Sequence, residues 1–145
     1  MSNMFTSYEM STRTNLCPPC AVSKPQKGTK LLTNIKGDVF GVQIDHTLPL
    51  QLYFHLENTQ EVELEDLISS TALFEILTTT HKVILSREFQ TSEILDQYTN
   101  DLYIFLAQAE MQHLKKETYA MRVTLRAPSQ DFVVFTEKNG YLVIR

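Results

Sequence analysis

Tryptophan is missing from this chain of 145 residues, and glycine, with four, is nearly so. So few glycines leave little material for the glycine-rich loops that cradle phosphates, and no P-loop or Gly-x-Ser-x-Gly elbow occurs. Two cysteines are too few for a disulfide scaffold. No apolar run approaches the roughly 20 residues that cross a bilayer as a helix. The opening Met1–Ser7 lacks the basic-then-apolar profile of a secretory signal, so assembly in a cytoplasm is expected. A net charge of −4 disfavours a nucleic-acid partner.

What is present is an ordinary globular composition, 43% hydrophobic and 21% charged, with the charge unevenly placed. Residues 1–36 carry five basic side chains against Glu9, a balance of +4. Residues 37–145 carry eight against sixteen acidic ones, a balance of −8. The first segment is also rich in Ser, Thr, Asn, Lys and Pro and holds no lasting hydrophobic period. Alone it buries too little surface to offset its ordering entropy. It reads as an extended basic arm, residues 1–36, on an acidic body, residues 37–145. The arm is expected to lie on a neighbouring subunit. Phe5, Tyr8, Met10, Leu31 and Leu32 are its apolar anchors, while Arg13, Lys24, Lys27 and Lys30 meet carboxylates such as those of residues 57–66.

The body repeats a period of two. Phe40, Val42 and Ile44 alternate with polar or small residues, and Leu48, Leu50, Leu52, Phe54 and Leu56 form the clearest one-faced strand. Residues 61–67 read as a turn with a short extended piece. Strands follow at 72–77, 82–87 and 101–106, and 107–114 has the one helical composition. Residues 118–126 alternate cleanly, with Tyr119, Met121, Val123 and Leu125 inward. Residues 131–136 and 141–144 then read as a hairpin about Lys138-Asn139-Gly140, an Asn-Gly turn signal. Many short strands without βαβ alternation predict an all-β antiparallel sandwich with one short helix. Its core face should hold Leu50, Leu52, Phe54, Phe74, Ile76, Leu102, Ile104, Met121, Val123 and Leu125.

Chemistry-bearing residues are sparse. Cys17-Pro18-Pro19-Cys20 has the spacing of a redox dithiol or of half a zinc site. No strand precedes it, no helix follows, and no second ligand pair occurs in the chain, so an incidental turn of the arm is the expectation. An intersubunit metal or disulfide at Cys17 and Cys20 is the alternative. The histidines at 46, 55, 81 and 113 have no metal-ligand spacing, and the carboxylates at 57–66 match neither a calcium loop nor a facing glycosidase pair. Nothing in the sequence argues for catalysis, a cofactor or a small-molecule substrate. Tyr53 and Tyr103 stand apart from the other aromatics. They point away from the core face, where a tyrosine makes a good interface anchor or simply a half-exposed strand residue.

The order of elements in 37–145 resembles the N-terminal domain of phage baseplate upper proteins and related immunoglobulin-like virion modules. Gly37-Asp38 opens two alternating strands ending in Leu50-Gln51-Leu52-Tyr53-Phe54, and Glu65-Asp66-Leu67 and Ala72-Leu73-Phe74-Glu75-Ile76 follow. Next come Asp101-Leu102-Tyr103-Ile104-Phe105-Leu106, the turn at 109–114, the strand Glu117–Val123, and a closing Gly140-Tyr141-Leu142-Val143-Ile144. Ile68-Ser69-Ser70 stands where that family usually has Thr-Gly after its Asp-Leu, and Thr118 where it usually has glycine. The resemblance implies an immunoglobulin-like fold and a non-enzymatic structural role in a virion, as an adaptor in a tail, baseplate, neck or capsid. Its partners would be other virion proteins and copies of itself, with neither nucleic acid nor membrane. A bacterial interaction or adhesion module, and a small carbohydrate-binding sandwich, are the alternatives.

Overall fold

The computed structural model describes residues 14–15, 29–35, 39–56, 63–128 and 130–145. In chain order its elements are β1 (Thr14–Asn15), β2 (Thr29–Ile35), β3 (Val39–Ile44), β4 (Leu50–His55), α1 (Leu64–Ile68), β5 (Thr71–Leu77) and β6 (Val83–Gln90). There follow α2 (Thr91–Ile94), β7 (Leu95–Asp96), β8 (Asp101–Leu106), α3 (Gln108–Met111), β9 (Thr118–Arg126) and β10 (Asp131–Ile144). The strands form two sheets. The larger has the order β2-β3-β10-β9-β5-β6, with β1 also on β10, and the smaller has the order β4-β8-β7.

Period-two alternation decides what lies between the sheets. Leu50, Leu52 and Phe54 of β4 pair across to Leu106, Ile104 and Leu102 of β8, and all six are buried. They pack against the inward side chains of β3, β5, β9 and β10 in one hydrophobic core. The Phe54 ring lies 6.0 Å from that of Phe40 and 5.0 Å from that of Phe135, so three aromatics join the two sheets. All ten side chains expected on the core face are buried.

The last strand departs from expectation. Residues 131–144 form one strand rather than a hairpin, running antiparallel to β9 over its length and parallel to β3 at 140–144. Its register on β9 jumps from Phe135↔Val123 to Gly140↔Met121, so residues 136–139 bulge out opposite Arg122. Asn139 serves that bulge. Its side-chain oxygen accepts from the Thr136 N–H and hydroxyl, both at 3.0 Å. Gly140 serves packing, since a Cβ there would sit 2.7 Å from the Phe135 ring and 3.1 Å from that of Phe40. The Asn-Gly pair here marks a bulge beside a tight aromatic contact rather than a turn.

Two smaller corrections concern the helices. Residues 64–68, expected to be a turn with an extended piece, form α1, with Glu65 and Asp66 in its first turn, where carboxylates suit the helix dipole, and Leu67 buried beneath. The Ser70 hydroxyl lies 2.7 Å from that of Thr91, both buried, and ties the end of α1 to the start of α2. The helix expected over 107–114 is only α3, a single turn closed by the Ala107 N–H on the Glu110 carboxylate.

The arm also differs. Thr29–Ile35 is not an extended appendage but a strand antiparallel to β3, so the expected boundary after residue 36 falls within a β2–β3 connection. Thr14–Asn15 pairs parallel to β10 at Phe132–Val133. The described parts of the arm therefore lie on the chain's own sheet, because a sheet edge offers unpaired backbone groups that an apolar-poor segment can still satisfy.

Candidate interaction surface

The same alternation that buries Leu52 and Ile104 turns their neighbours outward. On the outer face of the small sheet, Gln51, Tyr53 and His55 of β4 stand opposite Phe105, Tyr103 and Asp101 of β8. Tyr53 and Tyr103 are thus directly paired, with ring centroids 4.8 Å apart and planes tilted by 35°. The Tyr103 ring lies 6.4 Å from that of Phe105, which is 38% exposed. The sequence singles out Tyr53 and Tyr103 separately, and the fold places them side by side. That reading misses Phe105, although that residue lies two positions beyond Tyr103 on the same face, a signal that is there to read.

One end of this aromatic strip is polar. The His55 Nδ1 lies 3.0 Å from Asp101 Oδ1, across the strand pair, and Asp101 is nearly buried while His55 is exposed. Partial burial raises the Tyr103 phenol above its ordinary value, and the neighbouring Tyr53 adds to the rise. Both effects keep Tyr103 neutral, a hydrogen-bonding phenol on an apolar ring. A strip of half-buried rings flanked by a polar His55–Asp101 contact offers apolar area at low entropic cost, which suits contact with another protein.

Other candidates fall elsewhere. Phe5, Tyr8, Met10, Arg13, Cys17, Cys20, Lys24 and Lys27 lie outside the described residues. Lys30, Leu31 and Leu32 lie in β2, opposite Gln43, Val42 and Gly41. Among the described residues no group of three or more His, Cys, Asp or Glu comes together as a metal site, and no helix is long and apolar enough to cross a membrane. A cleft of about 460 Å³ opens between the β5–β6 turn, the end of α3 and the start of β9. Its walls include Ile84, Leu114 and Tyr119 with Glu110, His113 and Lys115. Glu110 is held there by Arg87, whose guanidinium bonds its carboxylate and is the main cause of a lowered carboxyl pKa.

On the outer face of the large sheet, Arg122 donates to both carboxylate oxygens of Glu75 at 2.6 and 3.3 Å and reaches Glu137 at 3.4 Å. The hydrogen bond to Glu75 leads the rise of the Arg122 pKa, so this group is a permanent cation spanning three strands. That is a structural brace, with both acids already engaged.

Compared with known proteins, the chain matches no family model, no curated sequence and no solved structure.

Proposed function

We propose that this chain is a non-enzymatic, immunoglobulin-like adaptor of a phage virion, seated in a tail, baseplate, neck or capsid assembly through the outer face of its small sheet. The observation that carries the docking role is the Tyr53–Tyr103 pair, extended by Phe105, on the outer face of the small sheet. The virion setting comes from the order of elements and motifs in residues 37–145.

Strand order supports the immunoglobulin-like reading. Such domains carry strands B, E and D side by side in one sheet and C, F and G in the other. Taking β4 to β10 in chain order as B, C, C′, D, E, F and G reproduces both neighbourhoods, as β4-β8-β7 and β10-β9-β5-β6. The first body strand, β3, then lies parallel on the last, β10. Partners are other virion proteins and further copies of the chain.

A photo-cross-linking residue placed at Phe105 tests the docking face. In particles that contain the chain, the adduct should be a defined virion structural protein or a second copy. Adducts confined to water, with efficient labelling from a control position on β6 such as Glu88, would place the interface elsewhere.

A further inference from the structure

The arm strand β1 occupies an unusual position. It pairs with β10 in parallel, Thr14 with Phe132 and Asn15 with Val133, on the same edge that β3 takes at 140–144. The bulge at 136–139 separates the two places, so β10 has one side given wholly to β9 and the other divided between two short parallel partners. Parallel neighbours cannot be joined by a tight turn. Thirteen residues of sequence, 16–28, lie between β1 and β2, a contour length of at most about 45 Å. Local chain direction therefore does not dictate whose β1 fills the place beside Phe132–Val133.

Nor does the chemistry of the slot. A strand edge recognises backbone N–H and C=O groups, and those of a second copy are identical. Phe132 and Val133 are both buried, so an emptied slot would leave a bare edge beside apolar side chains, the condition that favours strand addition. The charge balance runs the same way: residues 1–28, ahead of β2, carry Arg13, Lys24 and Lys27 against Glu9, a balance of +2, and residues 29–145 carry a balance of −6 on any copy.

We infer that the edge of β10 at Phe132–Val133 is an acceptor slot for the arm strand of a second copy of this chain, filled by the chain's own arm when copies are dilute and by a neighbour's when they are crowded. Exchange of an identical element makes no new kind of contact, and the crossover is set by the effective concentration at which a chain meets its own slot, on the order of millimolar for tethered elements. This inference stands apart from the docking face and from the virion setting.

The test uses full-length chains in a Cys17→Ser, Cys20→Ser background. One population carries Asn15→Cys and the other Val133→Cys, and they are mixed under mild oxidation between about 10 μM and about 1 mM. A disulfide-linked heterodimer is expected, its yield rising several-fold over that range. A control pairing Asn15→Cys with Glu88→Cys, on the opposite edge strand, should give none. No heterodimer above the control, while a chain carrying both Asn15→Cys and Val133→Cys closes on itself, would overturn exchange. Failure of that double variant to close would overturn the slot itself. Because Val133 is buried and its replacement could disturb folding, sedimentation of the wild-type chain against Asn15→Pro gives a second reading. Self-association at high concentration should be present in the first and lost in the second, with unchanged melting. A wild-type chain that stays monomeric throughout contradicts the inference.

Discussion

Gly140 shows how much a single side chain can matter in this core. The Phe135 and Phe40 rings, 5.0 Å apart and nearly perpendicular, close over the space where its Cβ would be. Phe135 would have to shift, and it is already packed against Phe54. Gly140→Ala should therefore destabilise the fold by about 1–3 kcal/mol through overpacking, read as a lower denaturation midpoint with an unchanged slope. At Leu52 the opposite change applies. Truncation to Ala opens a cavity between the sheets and should cost about 2–5 kcal/mol in the same assay. Titration enters through Glu110, whose hydrogen bond from Arg87 outweighs the opposing effect of burial and lowers its carboxyl pKa. A carboxyl held below its unfolded value binds fewer protons in the folded state. Its contribution is complete above the ordinary glutamate value of 4.5 and is lost as pH falls through the lower folded value. Stability of the wild-type chain should decline on acidification below about pH 4.5, and Glu110→Gln should flatten part of that slope.

Elements whose large apolar residues fall at every second position were legible because packing between the sheets selects those positions. β4, β5, β8 and β9 lie within a residue or two of where period-two runs place them, and the inward residues of each are buried. Elements set by tertiary contacts were not. Nothing local in 64–68 outweighs its acidic character, yet Leu67 finds the core and the Ser70–Thr91 pair holds the end of α1. β10 was misread because Asn139 and Gly140 carry a hairpin signature while serving a bulge and a packing gap. Of the proposed docking face, the tyrosines are legible from their outward register, but their pairing requires knowing that β4 lies beside β8. The bulge is braced by Arg122 between Glu75 and Glu137. Arg122→Ala should leave Glu75 partly buried without its guanidinium, cost about 1–3 kcal/mol, and raise amide exchange at residues 136–139. Arg122→Lys cannot reproduce the two-pronged bond and should recover only part of the loss.

At the scale of the whole molecule, the structure joins what composition had divided. The basic segment contributes strands β1 and β2 to the same sheet that the acidic body builds. The sandwich then presents the small sheet's aromatic face on one side, and on the other a large sheet braced by Arg122. A fold that spends its buried side chains on core packing, and keeps paired tyrosines outward, is suited to holding a place in an assembly. The direct measurement is the amount of this chain retained in purified particles, compared between the wild type and a Tyr53→Ala, Tyr103→Ala double variant that melts normally. The account predicts stoichiometric wild-type chain and loss of the variant by at least about tenfold, as expected when two central anchors are removed. A wild-type chain absent from particles, or a folded variant retained at the wild-type level, would contradict it.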